Sequence, residues 1–421
     1  MAIESEVIVI GGGLAGLTAA IAAARDGAAV RLLSAKQSTL RHASGLIDVF
    51  GYGAGHDGPI ADPLGAVREL PDTHPYATVG VDAIHDGLAL FDDVVGDAYA
   101  GGHTDRNALV PTVAGTVKPT ARYPRGVADG VASDDRSALL VGFDRLVEFD
   151  APLAAAHLSA AGVPFDVRGV TIEFPLEVAP DATVTRFAHL LDRDGGEAHA
   201  GLRSALAAAV RPHLDGADRV GFPAVLGEDR HAAVLEELEH ALGTAVFEVP
   251  MGPPSLPGVR LEDRLFEALD AIGASIVVGN PVVAFEANNG RIDTVLVEKG
   301  GQRVPYHASE FVLATGGLVG TGVTSDRTSV REPVFDCHVA HPEDRYDWFE
   351  ADAFGDHSFA RFGVGTDDAL RPLTAGGTPE FDNLRAAGSV LGGYDFAAEK
   401  SGSGVSLATG HVAGTRAAEA V

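Results

Sequence analysis

The chain has 421 residues, 46% of them hydrophobic and 21% charged, with 31 Lys plus Arg set against 59 Asp plus Glu for a formal net charge of −28. That length exceeds what one hydrophobic core usually holds, so two joined domains are expected, and the apolar content excludes a disordered chain. The charge argues against nucleic acid and against an anionic membrane surface as partners.

Cys337 is the one cysteine, which excludes internal disulfides and a cysteine-ligated iron–sulfur cluster within this chain. Lysine occurs only at positions 36, 118, 299 and 400, while carboxylates such as Asp72, Asp82, Asp86, Asp92, Asp93, Asp97, Asp134 and Asp135 are scattered. Such a pattern reads as a solvated, salt-adapted surface and not as a set of acid–base dyads. The N-terminus carries Glu4 and Glu6 in place of a basic segment, and no long apolar stretch follows. No signal peptide and no transmembrane helix are therefore expected, and a cytoplasmic location is.

Val7 to Gly16 read VIVIGGGLAG, an apolar run leading straight into Gly11-x-Gly13-x-x-Gly16. Val7 to Ile10 suit a strand buried on both faces, Leu14 to Ala24 a helix, and Ala29 to Leu33 a second strand. Gly11 permits the tight turn, Gly13 lets backbone approach a phosphate, and Gly16 allows close helix–strand packing. A nucleotide-type cofactor follows. The second strand ends Leu33-Ser34-Ala35-Lys36, without the acid that usually holds an adenosine ribose. Ser34 is a weaker partner, so FMN is expected, with FAD as the alternative.

The loop from Gln37 to Ser44-Gly45 carries Arg41 and His42 after Lys36, donors suited to a flavin edge or a substrate anion, or to pairing with surface acids. From Asp48 to about Val127 the pattern reads as loops and short strands. Helices are expected over Phe143 to Ala161, Thr185 to Leu191, Ala198 to Val210 and Glu228 to Leu242, the last with Ala232, Leu235, Leu238 and Leu242 on one face. A strand is expected over Gly169 to Phe174. His189, His199, His231 and His240 lie on these stretches without HxxxH or HExxH spacing, so no metal is expected there.

After the connector Met251 to Gly258, a helix is expected over Arg260 to Gly273, with Leu261, Leu265, Phe266 and Leu269 on one face. Strands are expected at Ser275 to Val278, Arg291 to Glu298 and Gln302 to Tyr306, with Asn288-Asn289-Gly290 between the first two. The run Phe311 to Gly317 is a buried strand ending in Ala314-Thr315-Gly316-Gly317, whose small residues allow close approach to the cofactor. A third glycine-rich approach runs through Gly388 and Ser389 to Gly404, which opens a helix expected over Ser406 to Ala418. The candidate cofactor residues are thus Gly11, Gly13, Gly16, Ser34, Ser44, Gly45, Thr315, Gly316, Gly388, Ser389 and Gly404. No catalytic residue is assigned; His42, Arg361 and Arg371 are candidates for phosphate contact. Cys337-His338-x-x-His341 lacks the ligands and spacing of a standard zinc site.

Cofactor segments at both ends of the chain imply an α/β, Rossmann-like two-domain flavoprotein fold, its nucleotide-binding domain interrupted by an α+β cap. The flavin-binding parts are placed at 1–50, 251–325 and 376–421, the cap at 51–250 and a cap return segment at 326–375.

The order GGGLAG, Gln-Ser…Ser-Gly, PPSLPGVRLEDRL, LATGG, REPVFD, FGVGTDDALRP and NLRAAGSVLGG ahead of a final helix resembles the family of anaerobic glycerol-3-phosphate dehydrogenase B subunits. The resemblance covers nearly the whole chain. It implies an FMN-associated subunit beside an FAD-containing A subunit and an iron–sulfur C subunit at the membrane. Together these would oxidise sn-glycerol 3-phosphate, a small phosphorylated substrate, to dihydroxyacetone phosphate in glycerol catabolism and pass electrons to quinone. The acidic, lysine-poor surface implies a haloarchaeal version, cytoplasmic or peripheral at the inner membrane face through a partner. The alternatives are a stand-alone flavin dehydrogenase or reductase of the fumarate reductase type acting on another small anion, and a non-catalytic electron-transfer or scaffold subunit.

Overall fold

A computed structural model of the chain describes residues 3–53, 58–194 and 201–421. It divides into two compact units, the first Met1–Thr39, Asp48–Val95 and Arg264–Val421, the second Leu40–Ile47 and Gly96–Asp263.

The first unit opens as its sequence dictates. Strand β1 (Val7–Ile10) is buried along its length, helix α1 (Leu14–Arg25) buries ten of its 12 residues, and β2 (Val30–Ser34) follows. Helix α2 (Pro75–Val95) then lies where only loops and short strands are expected. Gly80, with φ +83°, breaks its regularity, and the acids at 82, 86, 92 and 93 dilute its apolar face. That face is nonetheless continuous through Ile84, Gly87, Leu88, Phe91 and Val95.

The second unit alternates strand and helix: β3 (Ala138–Phe143), α3 (Ala151–Ala160), β4 (Val167–Ile172), α4 (Val184–Asp192), α5 (Leu202–Val210), β5 (Arg219–Pro223), α6 (His231–Leu242) and β6 (Ala245–Val249). Its sheet runs β6-β5-β3-β4 and every pairing is parallel. Each helix is a crossover between parallel strands, and the unit also holds two antiparallel ladders, Tyr99–Ala100 with Tyr123–Pro124 and Ala108–Pro111 with Val117–Thr120. Phe143 ends β3 and does not open a helix. Helix α3 starts at Ala151, where the Asp150 carboxylate accepts the Leu153 N–H at 3.0 Å and Pro152 fits the first turn. Helix α6 begins at His231 and buries Val234, Leu238 and Leu242, while Ala232 is exposed. Helix α5 begins after Gly201 at φ +84°; residues 198–200 of the expected helix, His199 among them, lie outside the described residues.

Arg219 anchors this unit. Fully buried, it donates to the carbonyls of Arg136 (3.1 Å), Asp129 (2.7 Å), Val131 (3.2 Å) and Asp134 (2.9 Å) and stacks 4.4 Å from the Phe165 ring centroid. Removing it takes a donor from four carbonyls at once, of which the Val131 carbonyl keeps the Asp134 N–H at 3.2 Å. Arg219→Ala should cost at least about 3 kcal/mol, since each buried unsatisfied group costs roughly 1–3 kcal/mol. Urea unfolding at fixed salt measures this; a change below about 1 kcal/mol, the usual scale of a bland substitution, would remove Arg219 from that role.

Helix α7 (Leu256–Ala271) begins inside the PPSLPG connector, four residues ahead of expectation. Beyond it come β7 (Ser275–Val278), β8 (Val282–Asn288), β9 (Arg291–Lys299), β10 (Gln302–His307), β11 (Glu310–Leu313), β12 (Leu384–Ala386) and helix α8 (Gly402–Glu419). The central sheet of the first unit runs β7-β2-β1-β11-β12, all parallel. A second sheet stacks β8, β9 and β10 antiparallel, with Ile3–Glu4 parallel to β10. Strand β8 has no counterpart among the expected elements; Asn289 and Gly290, at φ +51° and +76°, turn it into β9 as a two-residue hairpin.

Helix α8 packs on α1 through small residues. A Cβ at Gly410 would lie 2.6 Å from the Ala15 carbonyl oxygen, and one at Gly414 would lie 2.2 Å from that of Ala19. On α2, a Cβ at Gly87 would lie 2.8 Å from the Leu407 backbone of α8. By compactness, residues 51–95 and 326–375, placed by sequence in the cap and its return segment, group with the first unit, and 40–47 and 251–263, placed in the flavin-binding parts, with the second.

Candidate cofactor site

In the first unit the strand order reverses at β1: α1 leads from β1 to β2 on one side, while β11 lies on the other. Ligands of open α/β sheets bind outside the carboxyl ends of the strands at such a point. The three glycines of the loop divide their roles there. Gly11 has φ +123°, and a Cβ on it would lie 2.0 Å from the Ala314 carbonyl oxygen. One on Gly16 would lie 1.9 Å from the Gly11 carbonyl oxygen, whereas at Gly13 nothing lies within 4 Å. Gly13 also caps α1, with no side chain bonded to the helix end and no acid in the first turn. The orphan N–H groups of that turn are thus left for a ligand.

Two further segments converge on this end of the sheet. The Gly317 N–H donates to Ser389 Oγ at 3.2 Å, and the Ala387 N–H to the Leu313 carbonyl at 2.9 Å. Gly388, at φ +75°, donates its N–H to Thr409 Oγ1 at 2.9 Å, and a Cβ on it would lie 2.5 Å from Ala15 Cβ in the first turn of α1. Gly316 also has positive φ, +86°. Thr315 Oγ1 is buried and has no hydrogen-bond partner. An orphaned hydroxyl, a helix end with no side-chain cap bond and the open space at Gly13 fit a phosphate-bearing cofactor. Gly11, Gly13, Gly16, Thr315, Gly316, Gly388 and Ser389 are therefore brought together.

Other candidates fall elsewhere. Ser34 ends β2, buried, with its hydroxyl donating to the Lys36 carbonyl at 2.6 Å. Gly404 is corrected out of the cradle. Its N–H donates to the Asp48 carbonyl at 2.7 Å, and a Cβ on it would lie 2.2 Å from the Tyr76 hydroxyl. Asp48 Oδ1 also accepts the Ser403 N–H at 2.9 Å, so the α8 N-terminus already carries a carboxylate. Ser44 and Gly45 lie in the second unit. There the Gly45 carbonyl accepts the Tyr99 hydroxyl at 2.8 Å, and Ser44 Oγ accepts the Leu46 N–H at 3.4 Å.

The cations are held by acids. Arg41 pairs with the buried Glu262, which raises the Arg41 pKa, and lies 3.6 Å from Asp263. Arg361 pairs with Asp356 at 2.6 Å, and Arg371 with Asp367 at 2.8 Å. His42 is exposed. Burial first, then Glu332, Glu380 and Asp336, pushes the Cys337 thiol far up, and His341 Nδ1 is engaged by the Val339 carbonyl at 2.7 Å. Among the described residues no group of three or more His, Cys, Asp or Glu is placed to hold a metal. Sequence reasoning misses Asp48, whose partner is 355 positions away, and Gly322 of the turn after β11, where a Cβ would lie 2.0 Å from the Gly316 carbonyl oxygen. The dense run Gly316, Gly317, Gly320 and Gly322 is the signal that could have found Gly322.

A family model described as FAD binding domain matches residues 6–405. A protein of Halobacterium salinarum (strain ATCC 29341 / DSM 671 / R1), named as a probable B subunit of anaerobic glycerol-3-phosphate dehydrogenase, is 62% identical over 427 residues, covering 100% of this chain and 99% of the relative. The anaerobic glycerol-3-phosphate dehydrogenase B subunit of Pectobacterium atrosepticum is 30% identical over 425 residues, 97% of each chain. Among solved structures, a 3-ketosteroid-Δ4-(5α)-dehydrogenase from Rhodococcus jostii RHA1 aligns with TM-score 0.42 and 14% identity over 99% of this chain and 96% of that one. The full-length matches decide the family: this chain belongs to the flavoproteins with an FAD-binding domain and, among them, to the family of anaerobic glycerol-3-phosphate dehydrogenase B subunits.

Proposed function

We propose that this chain is the flavin-carrying B subunit of a quinone-linked sn-glycerol-3-phosphate dehydrogenase. In this reading it works with an FAD-containing A subunit and an iron–sulfur C subunit at the cytoplasmic face of the membrane. The observation that carries the reading is the 62% identity over the full length to a relative of that name. A bound flavin supplies the hydride acceptor for oxidation of the secondary alcohol to dihydroxyacetone phosphate. The chain itself binds and orients. The first-turn N–H groups of α1 would hold a phosphate, Gly13 leaves room for it, and Thr315 Oγ1 and the Gly316–Gly317 turn would meet the remainder of the cofactor.

FMN is the flavin we assign. At the end of β2 the ribose-binding position is Ser34, whose own proton goes to the Lys36 carbonyl, and the next carboxylate along the chain, Asp48, is spent on the α8 N-terminus. An adenosine ribose there would forgo a charge-assisted pair of hydrogen bonds, worth about 2 kcal/mol or more. FMN has no adenosine and forgoes nothing.

Dependence on partners is also part of the proposal. With a single, buried cysteine the chain has no cluster of its own to relay electrons. No helix of the described residues is long and apolar enough to cross a membrane, so attachment would fall to another subunit. Oxidation of sn-glycerol 3-phosphate with an artificial acceptor, assayed for the chain alone and for the chain co-purified with A and C subunits, tests this. Activity is expected in the complex only; equal turnover by the isolated chain would favour a stand-alone dehydrogenase.

A further inference from the structure

Residues 342–362 of the first unit hold four aromatic side chains in water: Tyr346 (71% exposed), Phe349 (47%), Phe354 (99%) and Phe359 (41%). A polar, salt-adapted surface gains nothing from this, since each exposed ring orders water that burial would release. The rings stand on a braced support. Trp348 is buried, donates its Nε1–H to the Pro342 carbonyl at 2.8 Å, and meets His341 and Phe362 edge-on at 5.7 and 5.8 Å. Asp344 accepts the Tyr346 N–H at 2.9 Å, and Asp352 accepts that of Phe354 at 3.0 Å. His357 accepts the Glu350 N–H at 3.1 Å through Nδ1, contacts the Ala353 carbonyl at 3.2 Å through Nε2, and stacks on Phe359 at 5.1 Å. The backbone that carries the exposed aromatics is therefore braced by these bonds, which lowers the entropy cost of docking them.

We propose that this aromatic platform is the docking surface for another subunit of the same dehydrogenase, one offering an apolar pocket rimmed by basic groups; the proposal rests on the reading above that such a complex forms. The four side chains leave about 500 Å² of aromatic surface in water, taking about 200 Å² for each. With a polar rim added, that matches the roughly 800 Å² each partner contributes to a standard interface. Phe and Tyr are the residues enriched in interface cores, and the rim is where charge selects the partner. Here the rim is acidic: Glu343, Asp344, Asp347, Glu350, Asp352 and Asp356 against Arg345 and Arg361. Of those two cations, Arg361 pairs with Asp356 at 2.6 Å and Arg345 lies 5.5 Å from the Tyr346 ring centroid. A second copy would bring two acidic rims together. An anionic membrane would repel the same rim. A basic-rimmed subunit satisfies both the rings and the charges.

The test is co-purification at molar salt of the full chain with its A and C subunits, comparing wild type with Phe354→Asp, with Tyr346→Ser and with Val147→Asp as a control at another exposed position, 83% accessible, in the second unit. Phe354→Asp should weaken assembly at least about tenfold, the scale of an aromatic hot spot, with Tyr346→Ser in the same direction. Val147→Asp should assemble normally, and all three isolated chains should keep wild-type flavin content and melting temperature. If wild type assembles and both platform variants assemble equally well, the platform proposal fails while the reading of the complex stands. If wild type does not assemble, both fail. A wild-type chain that dimerises alone or binds phosphatidylglycerol vesicles, with that property lost in Phe354→Asp, would overturn the subunit assignment in favour of a second copy or a membrane.

Discussion

Gly13→Val should leave the protein folded and empty of flavin. The backbone at Gly13 has φ −81° and ψ −178°, which a β-branched residue adopts without strain, and no atom lies within 4 Å of where its Cβ would sit. The stability change should therefore stay within about 1 kcal/mol. The isopropyl group instead fills the space at the mouth of the α1 N-terminus, where backbone N–H groups are free to meet a phosphate. Flavin content of the purified variant, read by visible absorbance, should fall to less than about a tenth of the chain concentration, which from about nine-tenths occupancy takes a weakening of about 80-fold, or about 2.6 kcal/mol. Gly11→Ala and Gly16→Ala act differently, because their added carbons meet backbone oxygens at 2.0 and 1.9 Å. Those variants should lose the fold as well as the flavin. Wild-type flavin stoichiometry in Gly13→Val would contradict the placement of the cofactor.

Dilution of salt should destabilise the isolated chain. Its −28 charge is carried largely by exposed groups: Asp72, Asp82, Asp86, Asp93, Asp97 and Asp135 all face solvent. Asp134 is an exception, since side-chain hydrogen bonds from Arg136, the nearest of them at 2.6 Å, hold its pKa at about 2. At molar salt the exposed charges are screened within roughly 3 Å, and at 0.1 M the screening length grows to about 10 Å, so repulsion reaches across neighbouring carboxylates. The melting temperature should fall steadily from molar to 0.1 M salt. A flat profile would show that the acidic surface is not a salt adaptation.

The parts of the fold legible in the sequence are those with a local cause. A buried four-residue run ahead of three spaced glycines can hardly be anything but β1, its turn and α1, and the bounds of β7 are those its Ser275–Val278 run suggests. Helix α2 is obscured because its contact with α8 needs Gly87, a residue that reads locally as a breaker. The strands of the second unit, such as Arg219–Pro223 and Ala245–Val249, are short and buried on both faces, so they show no alternation to recognise. Gly404 reads as a cofactor residue because a small-residue helix start looks the same whether a ligand or the chain itself fills it. Only the fold shows that Asp48 does.

The central claim is that this chain carries its own flavin on the β1–α1 glycine loop, and that the flavin is FMN. Acid release of cofactor from the purified chain, followed by chromatography against FMN and FAD standards, tests it most directly. The account predicts FMN in a one-to-one ratio with the chain. A stoichiometric FAD peak would contradict the weight placed on Ser34, and a folded chain that yields no flavin would contradict the account as a whole.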